Sequence, residues 1–153
     1  MSAAITGITQ VLNRFLIIES SLKNLDPAFK AAGVYMLGSI ERNFKEQGRP
    51  QKWQALAPAT LAARRQGKGK GGAKILIDEG LLKGSITTAD AMRTTSDSMV
   101  IGTNKIQAAR MHFGYPGGEG RGHSKTPARP FLLFQDEDVD AIETIFNRHI
   151  KLP

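Results

Sequence analysis

The pair Asp26-Pro27 does most to limit what this chain can fold into, because it closes one apolar-periodic segment and opens another. Aspartate accepts hydrogen bonds from the free amides of a new helix, and proline suits the first helical position, where no donor is needed. Before the pair, Ile8, Leu12, Phe15 and Leu22 recur at helical spacing, with Val11 and Ile18 widening the stripe. A helix is therefore predicted over residues 4–25. After the pair, Phe29, Met36, Leu37, Ile40 and Phe44 mark a second helix, which Gly48 terminates and Pro50 keeps from resuming.

Further along, regular elements shorten. A loop is predicted over Trp53 to Pro58, then a short helix from Ala59 to Gln66. Gly67-Lys68-Gly69-Lys70-Gly71-Gly72 combines backbone freedom with charge and reads as a mobile, solvated loop. Ile75-Leu76-Ile77 ends in a turn at Asp78-Glu79-Gly80. A hairpin is expected next, with one strand from Gly84 to Thr94, a turn at Ser96-Asp97-Ser98, and a second strand from Met99 to Thr103. Ile106 to Phe113 reads as a short helix ending at Gly114. Residues 114–128 hold too many glycines and prolines for a regular element and form a long loop. Arg129 to Phe134 reads as a buried strand, and a final helix runs from Gln135 or Asp136 to Lys151. The expected class is α+β: helices flanking a small, mainly antiparallel sheet in a single domain over residues 1–153. Within it, a helical part spans 4–66, and the sheet and last helix span 75–151.

At 153 residues, with 41% hydrophobic and 23% charged positions, the chain suits one core and is not of disordered composition. It has no cysteine, which excludes disulfides and thiolate metal sites and accords with folding in the cytoplasm. Its longest apolar runs are too short to span a bilayer, and Met1-Ser2-Ala3-Ala4 lacks the basic start of a secretory signal. The net charge of +7 favours an anionic neighbour, either nucleic acid or an acidic protein face. Positive charge gathers at Arg64, Arg65, Lys68, Lys70 and Lys74, and again at Arg121, Lys125 and Arg129. Asp136, Glu137, Asp138, Asp140 and Glu143 form the acidic counterpart.

No catalytic set emerges. His112, His123 and His149 fall in different elements without metal-type spacing. The glycine-rich stretch lacks the Gly-Lys-Ser/Thr of a phosphate loop. Asp136, Glu137 and Asp138 point in different directions on a helix start, where capping and the helix dipole account for them. The reading is of a non-enzyme without cofactor or metal. Trp53 has two readings, a ring closing over the core edge or an anchor for a partner. The basic loop is either simply solvated or laid along DNA or an acidic partner. No aromatic residue is interleaved with its charges, so stacking on single strands is disfavoured.

Four local patterns, in order, resemble the phage virion morphogenesis family, whose members complete tails or join tails to heads. They are Trp53-Gln54-Ala55-Leu56-Ala57-Pro58-Ala59-Thr60-Leu61-Ala62 before basic residues, and Gly80-Leu81-Leu82 leading into Ser85-Ile86. Next come Val100-Ile101-Gly102-Thr103-Asn104 with Phe113-Gly114, and Pro127-Ala128-Arg129-Pro130-Phe131-Leu132 before Asp136-Glu137-Asp138. The likeness covers residues 36 to 150. It departs from the family's usual Tyr-Ala and His-Gln pattern at Gln107-Ala108-Ala109-Arg110-Met111-His112, and the 114–128 loop is unusually rich in glycine. The resemblance implies a stoichiometric part of the virion neck or tail end, a ring of identical subunits contacting connector or tail-terminator proteins around the DNA channel. Arg129 reads as a rim residue or as an inter-subunit ion pair. Arg64 to Lys74 of one copy could meet Asp136 to Glu143 of the next. The rivals are a sequence-independent DNA-binding module and a small hydrolase whose site forms across subunits.

Overall fold

The computed structural model describes residues 7–67, 70–118 and 124–150. Six helices follow in chain order: α1 (Ile8–Leu22), α2 (Asp26–Glu46), α3 (Pro58–Arg65), α4 (Leu81–Thr87), α5 (Ala108–Phe113) and α6 (Asp136–Ile150). Between α4 and α5 lie a single 3-10 turn (Ala89–Ala91) and the antiparallel strands β1 (Met92–Thr94) and β2 (Met99–Ile101). The class is α+β with a two-stranded sheet.

Helix α2 is the centre of the fold. Ala28, Ala32, Met36, Ile40 and Phe44 are buried at strict intervals of four, so one long stripe faces inward. Asp26 and Pro27 occupy its first turn, but Leu25 takes the cap position, and the Asp26 carboxylate meets Lys30 and Thr94 rather than the free amides expected of it. Its last turn closes with Gln47 in the left-handed region at φ 59°, whose amide donates to the Asn43 and Phe44 carbonyls. Helix α6 packs on one side of α2, with α4 and the hairpin on others. Ile40, Phe44, Trp53, Ile75, Leu82, Ile86, Ala108 and Phe131 make the principal core cluster.

The hairpin is shorter than expected, because the predicted strand from Gly84 to Thr94 begins as helix. Gly80, at φ 80°, opens α4, and Leu82 and Ile86, four apart, are both buried in the core. The second correction concerns Arg129 to Phe134, which forms no strand. Arg129 and Phe131 are buried, but Phe134 is exposed. Side chains hold this segment in place of a ladder: Asn43 Nδ2 donates to the Pro130 and Phe131 carbonyls at 3.2 Å each. The loop from Gly114 to Ala128 is pinched at its base by paired Tyr115 and Thr126 backbone hydrogen bonds of 2.8 Å.

Helix α1 contrasts with the rest. It rests on α6, where the His149 ring meets the Ser21 and Asn24 carbonyls at 3.3 and 3.0 Å. It buries none of its own residues.

Candidate assembly surface

The basic stretch splits into an internal and an external part. Arg64 lies at the C-terminal end of α3, and its Nη1 donates to the carbonyls of Gly72, Lys74 and Ile77 at 3.0, 2.8 and 3.4 Å. Its Nε lies 3.7 Å from Asp78, which in turn accepts from the Lys70 and Gly71 amides. Those two amides hold the Asp78 carboxyl below its usual pKa. Gly71 fits only as glycine, since a Cβ there would sit 1.7 Å from the Ile77 carbonyl oxygen. Arg64 thus braces the 70–78 segment, which shares only Lys70, Gly71 and Gly72 with the loop expected over 67–72, whose Lys68 and Gly69 lie outside the described residues. Arg65, Lys70 and Lys74 are exposed. Lys68, His123 and Arg121 lie outside the described residues.

Trp53 is buried, 6% exposed, with its ring edge-on to Phe44 at 5.6 Å and its Nε1 donating to the Pro130 carbonyl at 3.0 Å. Its side chain lies in the core. Arg129 is equally buried. Its guanidinium donates to the Gln54 and Ala55 carbonyls at 3.1 to 3.3 Å, clamping the segment after Trp53. Burial, and secondarily the charge of Arg64, lower its pKa. Arg64, Arg129 and Lys125 line a cleft of about 730 Å³ between α3 and the 124–129 segment.

The acidic cluster divides too. Asp138 is fully buried: its Oδ2 accepts from Ser39 Oγ at 2.8 Å and from the Gln135 amide at 2.9 Å. Glu137 pairs with Arg49, and Arg42 approaches both Glu137 and Asp138 at 4.0 and 3.7 Å. Asp136, Asp140 and Glu143 remain exposed. Spacing alone gives no means of separating these roles. The discriminating signal is position: three residues past the helix cap, a carboxylate can reach back to the cap amide.

Sequence reasoning left one surface feature out of the candidate sites. Ile8, Val11, Leu12, Phe15, Leu16, Ile17 and Leu22 on α1 are all 43–65% exposed. Their periodicity announces an apolar face but not what covers it.

His112 is half-buried, edge-on to Phe131 at 5.0 Å, and burial lowers its pKa below the usual 6.5. As pH falls through 6.5, the unfolded chain takes up a proton before the folded chain does, so stability drops below that pH. Urea midpoints measured between pH 7 and 5 should fall in the wild type and fall less in His112→Leu. Equal slopes would remove His112 as the cause. Among the described residues no His, Asp or Glu group could hold a metal ion, and no helix is long and apolar enough to cross a membrane.

The fold and surface define a small α+β protein whose conspicuous surface features, among the described residues, are an exposed apolar helix and exposed residues of opposite charge on different segments. Residues 4–151 match the sequence model of the phage virion morphogenesis family, and the chain belongs to that family. No curated protein and no solved structure matches it significantly.

Proposed function

We propose that this chain is a structural part of a tailed-phage virion that completes the tail or joins it to the head, acting stoichiometrically as a subunit of a neck ring. The observation that carries this reading beyond family membership is the exposure of seven large apolar side chains on one helix. Such a surface is a liability in a free monomer and an asset in an assembly. A cyclic ring needs two different complementary faces on each subunit. Opposite charges supply a steering pair, now reduced to Arg65, Lys70 and Lys74 on one side and Asp136, Asp140 and Glu143 on the other. Arg64, Glu137 and Asp138 are engaged within the subunit.

Removing the gene from its phage should leave filled heads and tails unjoined in electron micrographs, with infectious yield restored by the wild-type gene in trans. Normal particles from the deletion would overturn the reading. The rival, a sequence-independent DNA-binding module, predicts that the isolated chain retards duplex DNA with affinity falling steeply as salt rises. Substrate turnover abolished by one side-chain change would instead make it an enzyme.

A further inference from the structure

The circumference of α1 shows where its uncovered face points. With successive residues about 100° apart, Ile8, Val11, Leu12, Phe15, Leu16 and Leu22 fall within an arc of about 140°. The half-buried positions of the helix are Ile18 and Ser21, on the side turned to α6. The apolar arc is rotated from that side by roughly 120°. The first two turns of the arc carry no charge. Glu19 and Lys23, at its end, pair with each other at 3.0 Å, and both are well exposed.

We infer that this arc docks against α1 of a second copy of the chain, with the two helices parallel. Three observations select that occupant. Ile8, Val11, Phe15 and Leu22 lie on the spacing of alternate threes and fours by which one helix packs on a like helix, and half-buried Ile18 completes that seam at its border with the side turned to α6. In that register Arg14 flanks the seam on one side and Glu19 on the other. Parallel pairing sets Arg14 of one helix opposite Glu19 of the partner subunit, twice per pair. Copies that carry +7 each repel over most of their surface, and this near-neutral face is where they can meet. An anionic partner would find no concentration of charge to pair with here.

Area supports the same occupant. The six side chains of the arc, about half exposed and at roughly 150–200 Å² each when free, offer on the order of 500–600 Å², a large part of the ~800 Å² per partner of a standard interface. A parallel pair of like helices is an isologous twofold contact, distinct from the two complementary faces that would close a ring. The inference therefore rests on the assembly reading for its place in the virion, though not for the contact itself.

The test is light scattering on the purified chain, paired with rescue of the gene-deleted phage. The wild type should form multimers that persist at high salt, because the contact is apolar. Val11→Glu with Phe15→Glu should weaken association a hundredfold or more, toward the 16.6 kDa monomer. Unchanged Trp53 fluorescence and thermal midpoint would show that the body still folds. Arg14→Glu and Glu19→Arg should each weaken association, and the two together should restore it. Because the chain has no cysteine, Ile8→Cys adds a single thiol, and mild oxidation should crosslink it if the helices are parallel.

Wild-type-like multimers from the double glutamate variant would overturn the face. A monomeric wild type would overturn it also, even if that chain rescued the phage and so left the assembly reading standing. Multimers without an Ile8→Cys crosslink would overturn the parallel register. Loss of association in the variant, in a phage that needs no copy of the gene, would support the contact while the assembly reading fell.

Discussion

Trp53→Ala is expected to cost about 3–5 kcal/mol of folding stability, the range for deleting a large buried aromatic. The ring contacts Phe44 edge-on, Phe44 contacts Phe131 at 5.7 Å, and the indole N–H satisfies the Pro130 carbonyl. Its loss opens a cavity between α2 and the 129–132 segment and leaves Asn43 as the remaining side-chain donor to the Pro130 carbonyl. For a chain of this length the thermal midpoint should fall by about 10–15 °C. Trp53→Phe keeps most of the volume and loses chiefly the hydrogen bond, about 1 kcal/mol. Circular dichroism must follow the unfolding, because the chain has no other tryptophan. The two readings of this residue part here. A core ring gives a large loss of stability and, in the cold, intact assembly. A partner anchor gives normal stability and lost association, and that result would displace the core assignment.

The same residue shows how much of the fold could be read from the chain. Helices α2 and α6 were legible because punctuation and periodicity agree: Asp26-Pro27 and Gly48 bracket one, and Asp136 to Asp138 open the other. Helix α4 was not, because a segment of seven residues with Ser85, Ile86 and Thr87 fits a strand as well as a helix. Only the burial of Leu82 and Ile86 against α2 decides it. Arg129 to Phe134 is irregular and forms no strand, and the Pro130 and Phe131 carbonyls are taken by the side chains of Asn43 and Trp53, which no local pattern reveals. At the candidate surface the residue types were legible and their engagement was not. Arg64 and Arg65 are neighbours in sequence, yet one is spent on carbonyls of the 72–77 segment and the other faces solvent. The apolar stripe of α1 was legible as a stripe. That no described residue covers it shows only in the structure, where α6 lies against a different side of the helix.

Asp138→Ala should be nearly as damaging as loss of Trp53, at about 2–4 kcal/mol, and in the run Asp136-Glu137-Asp138 only its distance of three from the helix cap marks this carboxylate above the others. Asp138 stands three residues after Gln135, which precedes the first turn of α6, and its carboxylate accepts the Gln135 amide as in the returning half of a capping box. The same oxygen accepts the Ser39 hydroxyl from the middle of α2, tying the two helices together. Truncation strands a buried hydroxyl and a helix-start amide and removes the counter-charge beside Arg42. Asp138→Asn keeps an acceptor and should lose about half as much. Because α1 rests on α6, the expected consequence extends to assembly: the alanine variant should lose multimers at the temperature where α6 melts. Reversing all three charges to lysine would therefore abolish assembly by unfolding and say nothing about ion pairs between subunits. The informative variant reverses Asp136, Asp140 and Glu143, which are exposed, and it should keep the wild-type thermal midpoint to within about 2 °C. If that variant unfolded while Asp138→Ala did not, the buried carboxylate would lose its place as the tie between α2 and α6.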